Sequence, residues 1–434
     1  MTANRFHLGW FLNFVADEWN GPWGSDGMPW SGDFYVDMAR QLERACFDYV
    51  ILEDKCHVSD AYGGTMQADL KHGIAPKHDP APLATLLAAS TARLGVVATM
   101  STSFYPPWLL ARLAATIDHI SKGRFGWNIV TSAEDRAAQN FGMEELYEHD
   151  LRYEMADEYL DLVHQLWGSW DADALVRDRA TGTYVDHTKV HTVDFSGRFY
   201  KARGPLNTLR PPYGRPVLCQ AGASPKGRAF AAKYADTIIS PYQDPAMMKA
   251  YRDDIRLRVE AAGRKPDDVK VLFLVAPVVG ETEAEARERQ QRWLSHPLFV
   301  EYTLAELASI TEIDFARYDL DEPLPPVTTN GERGTLEAFV AKGRGREVSL
   351  RELAHGGLSD PSTLVGTPEQ VAEMMGETME AVGGDGFLIT SPVMRLNRRY
   401  VVEITDGLVP ALQRMGLTRT SYTHDGFRDN LLEY

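Results

Sequence analysis

The sequence predicts a (β/α)8 (TIM) barrel carrying long insertions at its C-terminal mouth. Two observations lead there. Eight short apolar runs alternate with amphipathic stretches along 434 residues, the order that a parallel sheet with crossover helices requires. The composition, 44% hydrophobic and 24% charged, is too apolar for disorder and suits one large folded unit. Residues 1–434 are therefore read as a single barrel domain.

The apolar runs fall at residues 8–14, 49–52, 94–99, 124–130, 217–220, 237–239, 271–278 and 386–389. Several are short and β-branched, as strands buried on both faces should be. Helical stripes lie between them: Leu83, Leu86 and Leu87; then Leu109, Leu113, Thr116, Ile117 and Ile120; then Met155, Tyr159, Leu162, Val163 and Leu166. Each is built from i, i+3 and i+4 spacings. Thr367-Pro368-Glu369-Gln370 reads as a helix start, with threonine at N-cap, proline at N1 and glutamine at N3. A doubly wound sheet shares the alternation, but eight strands fit the closed barrel better.

Four connections exceed what a minimal barrel needs: residues 53–82, 132–151, 168–216 and 295–366. Loops this long are usually functional or mobile. Those that follow strands sit at the C-terminal mouth, where barrel enzymes keep their active sites. The 295–366 stretch holds Pro323, Pro325, Pro326 and the pair Gly343/Gly345, and is either a lid or a disordered insertion. No internal repeat or low-complexity tract is present.

Lysine plus arginine is 45 and aspartate plus glutamate is 61, a net charge of −16. That sign argues against a nucleic-acid partner and against a highly anionic substrate. Cys46, Cys56 and Cys219 show no metal-ligand spacing and cannot make a disulfide framework, so a reducing, cytoplasmic compartment is expected. There is no run of 18 apolar residues to span a membrane. The first residues lack the h-region and cleavage site of a signal peptide.

Four constellations could carry chemistry. In the first, the strand ending at Gln220 runs into Ala221-Gly222-Ala223-Ser224-Pro225. Ser224 suits N-cap and Pro225 suits N1, and a helix start of this kind with small residues around it can cradle a phosphate. It is equally an ordinary capped helix. In the second, Asn128, Thr131 and Ser132 end a buried strand and are either ligand donors or a satisfied strand end. In the third, His149 and Tyr153 share a face at a helix start, as functional partners or as surface packing. In the fourth, Trp10, Phe11, Phe14, Trp19, Trp23 and Trp30 crowd the N-terminal segment, either walling an apolar pocket or plugging the core. His57 with Asp60, and His72 with His78 and Asp79, lie in one loop. They are surface residues, or a general acid and its neighbours. His187 and His191 are spaced i, i+4 without the glutamate of a zincin helix, so no metal site is expected. Fingerprints for dinucleotides, P-loop phosphates and nucleophile elbows are missing.

Read together, several stretches resemble a known family. They are Ser101-Thr102-Ser103-Phe104-Tyr105-Pro106-Pro107, residues 121–132 (Ser121-Lys122-Gly123-Arg124-Phe125-Gly126-Trp127-Asn128-Ile129-Val130-Thr131-Ser132), Asn140-Phe141-Gly142, Glu148-His149-Asp150-Leu151-Arg152-Tyr153 with Ala156-Asp157-Glu158, Gln220-Ala221-Gly222-Ala223-Ser224, and the tail Phe427-Arg428-Asp429-Asn430-Leu431. In this order they resemble the bacterial-luciferase-like flavin monooxygenases, in the branch of the nitrilotriacetate, dibenzothiophene-sulfone and long-chain-alkane enzymes. The resemblance covers nearly the whole chain.

It implies a barrel that takes reduced FMN (FMNH2) from a separate NAD(P)H-dependent flavin reductase. Through a flavin peroxide, one oxygen atom of O2 would enter a small organic substrate. It places Asn128 at the flavin or ribityl chain, His149 and Tyr153 at ribityl and phosphate, and Ser224 with the Ala223 backbone at the phosphate. It also places Asp54 at the flavin side, Ser101 and Thr102 beside the isoalloxazine, and Tyr62 in the pocket. His57 and Tyr62 are the candidates for proton transfer. A homodimer or homotetramer is the family expectation. Glu53 stands where relatives usually carry a small residue or proline, and residues 19–30 match no relative. The aromatic content favours a hydrophobic or ring-bearing substrate. Two other readings share the barrel: a deazaflavin-dependent oxidoreductase that needs no O2, and a non-catalytic flavin-binding protein.

Overall fold

Strands of four to seven residues with nearly every side chain out of solvent can be satisfied only by one another. The structure, a computed structural model, describes residues 5–13, 32–343, 347–356, 363–391 and 396–434. Eight strands form its centre: β1 (His7–Leu12), β2 (Tyr49–Leu52), β3 (Gly95–Ser101), β4 (Phe125–Val130), β5 (Val217–Gln220), β6 (Thr237–Ser240), β7 (Lys270–Val275) and β8 (Gly386–Ile389). Each pairs in parallel with its neighbours in sequence, and β8 closes the barrel on β1. All eight expected runs are strands. β7 stops before the end of its apolar run, because Pro277 has no N–H to give a ladder.

Alternate residues fill the interior, among them Tyr49, Ile51, Val97, Cys219, Ile239, Leu272 and Leu388. The floor is Phe427, from the short C-terminal helix Phe427–Leu431. Its ring lies so close to β3 that a Cβ at Gly95 would approach it to 2.7 Å, so only glycine fits there. Buried charges at the strand beginnings are paired. Asp48 accepts from His7 at 3.0 Å and faces Arg419 at 2.8 Å. Asp236 takes both guanidinium arms of Arg215, at 2.6 and 2.8 Å.

Helices α1 (Asp33–Arg44), α2 (Pro80–Ser90), α3 (Pro107–Ser121), α4 (His149–Trp167), α5 (Pro225–Tyr234) and α6 (Pro245–Ala261) pack around the strands. The third expected stripe is the core face of α4, and its Trp167 bonds the Ala111 carbonyl of α3. The second stripe is corrected. Leu109 and Ile120 are 47% and 46% exposed, and α3 buries Leu110, Ala111, Ala114, Ala115 and Ile117 instead. Alanines let the helix lie close on the barrel, and a pattern of large apolar residues does not register them. Leu86 is likewise exposed, which leaves Leu83 and Leu87 on the core face of α2.

One placement among the long connections also changes. Residues 168–216 join the end of α4 to the start of β5 and so belong to the face opposite the mouth. Residues 53–82 and 132–151 follow strands and do lie at the mouth. The 295–366 stretch does as well, and it is a folded cap where described. Its helices α7 (Phe299–Thr311) and α8 (Arg333–Ala341) and the turn Leu350–His355 share a core of Leu304, Leu307, Phe315, Leu336, Phe339 and Leu353. Helix α9 (Pro368–Val382) then returns to the barrel, opened by the expected Thr367/Gln370 capping box. Among the described residues no helix is long and apolar enough to cross a membrane.

Candidate active site at the barrel mouth

β3 and β4 bring their polar ends together because Thr99 and Asn128 are register partners. Asn128 Nδ2 donates to Thr99 Oγ1 at 2.9 Å, while Asn128 Oδ1, buried, has no partner. One step higher, Ser132 Oγ donates to Ser101 Oγ at 2.7 Å, and Thr102 Oγ1 donates to the Val130 carbonyl at 3.3 Å. Ser101 and Thr102 therefore fix the strand ends. Asn128 keeps an acceptor free, and such an orphan in a buried site calls for a ligand donor.

The Ser224 turn is built as its sequence suggests. Ser224 is the N-cap of α5, Pro225 follows at N1, and Ser224 Oγ accepts from Gly227 N at 3.1 Å. His149, at the start of α4, places Nε2 3.2 Å from Ser224 Oγ and contacts Asp150 through Nδ1 at 2.8 Å. One turn on, the Tyr153 ring lies 5.1 Å from that of His149, and its hydroxyl accepts from Gln220 Nε2 at 3.4 Å. Gln220 Oε1 is buried and unpartnered. A Cβ at Gly222 would meet that oxygen at 2.3 Å, and one at Gly227 would meet the Tyr153 hydroxyl at 2.8 Å. Both glycines are thus needed for closeness. The Ala223 carbonyl is held by Arg228 and the Gly222 carbonyl by Tyr251. Burial lowers the His149 pKa, while its Asp150 contact opposes this. Four of the expected residues, His149, Tyr153, Ala223 and Ser224, therefore meet at one turn.

Beside β2 and β3 lies a cavity of about 400 Å³, lined by Asp54, Cys56, Lys77, His78, Asp79, Phe104, Tyr105, Leu109 and Phe141 among others. Phe104 and Phe141 stack at 4.4 Å with ring planes 5° apart. Burial pushes the Asp54 carboxyl up to about 6, while Cys56, whose Sγ donates to it at 3.4 Å, pulls the other way. Glu53 turns inward and accepts from buried Lys77 at 2.7 Å. Lys55 pairs with Asp69 at 2.9 Å, and Glu306 of α7, fully buried, faces both lysines.

The two candidate proton-transfer residues lie against the cap and do not line this cavity. His57 is buried with Nδ1 unpartnered. Burial and then Lys55 push its pKa down to about 3, so it is neutral. Tyr62 is half-buried among the cap residues near Phe315, and burial raises its phenol. Asp60 is spent on Arg136, and His72 contacts Glu301 of the cap. Phe14, Trp19, Trp23 and Trp30 lie outside the described residues. Trp10 is core and Phe11 is half-buried inside the barrel. Sequence reasoning missed Cys56, Lys77 and the Phe104/Phe141 stack as site residues, although both phenylalanines stand in matching motifs. It also missed Glu134, whose carboxyl is pushed up to about 8 by burial and then by Glu332 of the cap.

A family model described as luciferase-like monooxygenase matches residues 6–386. A dibenzothiophene-sulfone monooxygenase of Rhodococcus erythropolis is 40% identical over 410 residues, covering 92% of this chain and 90% of that protein. Nitrilotriacetate monooxygenase component A of Aminobacter aminovorans is 34% identical over 411 residues, covering 92% and 89%. Among solved structures, a riboflavin lyase with modified FMN and substrate riboflavin superposes with a TM-score of 0.88 at 31% identity, covering 99% of this chain and 96% of that one.

Proposed function

The chain belongs to the luciferase-like monooxygenase family, and from that premise we propose that it is the oxygenating component of a two-component system. It would receive reduced FMN from a separate NAD(P)H-dependent reductase and insert one atom of O2 into a hydrophobic, ring-bearing substrate. The other oxygen atom leaves as water, with the electrons drawn from the reduced flavin. A relative named as component A supports the partner.

The observation that carries the reading is the capped turn at the mouth, where His149 Nε2 lies 3.2 Å from Ser224 Oγ and Gln220 Oε1 is buried without a partner; Asn128 Oδ1, inside the barrel, is the second such acceptor. Two unpartnered buried acceptors suit the N–H edge and hydroxyls of a reduced, ribityl-bearing ring, and the helix start suits its phosphate. The residues fit the cofactor. When bound, reduced flavin supplies the electrons and the activation of O2.

The chain supplies the rest. Ser224, the Ala223 backbone, His149 and Tyr153 bind the phosphate end. Asn128 and Gln220 orient the ring and its chain. The cap keeps water from the mouth. Asp54, in the aromatic cavity with its carboxyl raised by burial to about 6, would hold or release a proton at the substrate. His57, neutral with Nδ1 open, remains a candidate acceptor beneath the cap, and Tyr62 a candidate donor.

The test is turnover of aromatic thioether or sulfone candidates by the purified protein with a flavin reductase, FMN and NADH under ¹⁸O₂. One labelled oxygen should appear in the product, and only in the complete mixture. Turnover with O2 excluded would overturn the proposal in favour of hydride transfer.

A further inference from the structure

The Ser224 turn is not completed by barrel residues alone. The cap segment leading into α8 packs on both helix starts that form it. His149 N–H donates to Asn330 Oδ1 at 3.2 Å, and Arg152 Nη2 donates to the Asn330 carbonyl at 3.0 Å. A Cβ at Gly334 would lie 2.4 Å from Ala223 Cβ, so the cap backbone touches the turn itself.

Between these contacts stands Arg333. Among the described residues its guanidinium makes one hydrogen bond, Nε to the Thr329 carbonyl at 3.1 Å, although the chain as a whole carries −16. Its side chain is exposed, and in sequence it stands between Asn330 and Gly334, the two cap residues that touch the turn. Two further groups there are unsatisfied. Gln220 Oε1 and Arg152 Nε belong to residues only 3% and 2% exposed, and neither has a partner. Two arginines from two elements, Arg152 of α4 and Arg333 of α8, with a free buried donor and a free buried acceptor, make a set that suits a hydroxylated anion.

We propose that Arg333 completes a phosphate site shared by barrel and cap, so that the cofactor's phosphate fastens α8 to the mouth. The inference rests on the FMN reading above and adds a specificity-determining residue to it. A guanidinium holds a phosphate through two parallel charge-assisted bonds, which an ammonium cannot reproduce. A ligand that binds both bodies favours their closed arrangement by its differential affinity. Riboflavin, which lacks the phosphate, should enter the barrel side without engaging the cap.

The experiment measures dissociation constants of FMN and of riboflavin for the wild-type protein, Arg333→Ala and Arg333→Lys, together with hydrogen exchange of residues 329–341. Arg333→Ala should weaken FMN by roughly tenfold or more while leaving riboflavin within about twofold. Arg333→Lys should recover part of the loss. In the wild-type protein FMN should slow exchange across 329–341 and riboflavin should not, a readout that does not depend on how well the variants fold. Equal weakening of both ligands by Arg333→Ala, or equal protection of 329–341 by both in the wild type, would overturn the role of Arg333. A wild-type protein that bound FMN no better than riboflavin would remove the phosphate site itself, and the proposal with it.

Discussion

Replacing Ser224 with aspartate separates two jobs that one hydroxyl now does. As N-cap, Ser224 Oγ accepts from Gly227 N at 3.1 Å. Aspartate caps a helix about as well as serine, and its charge gains about 0.3–1 kcal/mol from the helix dipole. With Nδ1 donating to Asp150, the neutral His149 accepts at Nε2, 3.2 Å from the present hydroxyl, and adds no donor for the aspartate. The melting temperature of Ser224→Asp should therefore match or exceed the wild-type value. Ligand binding moves the other way. Two unit charges about 4 Å apart repel by about 1 kcal/mol in water and by about 4 kcal/mol at an effective dielectric of about 20. A phosphate carries nearly two charges. With allowance for solvent at the mouth, the penalty is about 2–4 kcal/mol, roughly thirtyfold to a thousandfold in dissociation constant. Riboflavin carries no phosphate and should bind unchanged. Anaerobic titration of reduced FMN and reduced riboflavin, followed by tryptophan fluorescence alongside thermal melts, reads both effects. Retention of the wild-type FMN-to-riboflavin ratio in a folded Ser224→Asp protein would show that the phosphate does not sit at this turn.

Other perturbations follow from the same geometry. Burial raises the Asp54 carboxyl from its ordinary value to about 6, so its proton is present below that pH and lost as pH rises through it. Substrate consumption should show a falling limb near pH 6 that Asp54→Asn removes, and an unchanged pH profile would exclude Asp54 from proton transfer. Truncating one ring of the Phe104/Phe141 stack removes about 0.5–1.5 kcal/mol of aromatic contact beyond area burial. Phe104→Ala should accordingly raise KM roughly threefold to tenfold for ring-bearing substrates and less for aliphatic ones of equal volume; equal effects on both would speak against an aromatic slot. Lys77→Met leaves Glu53 without its 2.7 Å partner and removes one of the two lysines facing Glu306. Breaking a buried pair from one side costs about 3–5 kcal/mol, to be read from denaturant unfolding; a loss below about 1 kcal/mol would mean that water already reaches the pair.

What the sequence disclosed and what it hid divide along physical lines. β5 and β8 were bounded to the residue, because strands buried on both faces are continuous apolar runs cut off by polar or small residues. The capped starts at Ser224 and Thr367 were legible because capping is local chemistry, complete within four residues. The core face of α3 was misread because alanines carry it. The two-residue strands Phe195–Ser196 and Lys201–Ala202 have no period to detect. The cap helix α7 buries nearly every residue on all sides, so it lacks the amphipathic alternation that marks a surface helix. The parts of the site that escaped are those made by distance in sequence. Lys77 meets Glu53 from the far end of a loop, and Asn330 reaches His149 across 181 positions; neither leaves a local trace.

The way the cap is joined to the barrel bears on how a cofactor could come and go. Inside the cap the contacts are apolar: Leu304, Leu307, Phe315, Leu336, Phe339 and Leu353 bury one another. Across the seam they are mostly polar. Lys71 meets Glu301 at 2.8 Å, Asp314 accepts from Gly63 N at 2.8 Å, Glu312 accepts from Asp135 N at 2.7 Å, and Asn330 accepts from His149 N at 3.2 Å. Among the described residues two small apolar contacts join them: Tyr302 and Ala305 against Ala68 and Ile74, and the cap core against Ala61 and Tyr62. Separating such a seam exchanges hydrogen bonds and ion pairs for water, at a net cost of about 0.5–1.5 kcal/mol for each bond. Breaking the cap's own core would cost about 1.5–3 kcal/mol for each large side chain exposed. The cheaper event moves the cap as one body and leaves both cores intact. Under the proposed two-component function, a flavin reduced on another protein would need such an event in every turnover. A phosphate bridging Arg333 and Ser224 would make closure depend on the arrival of that flavin, which keeps the mouth shut when there is oxygen chemistry to shield and open when there is none.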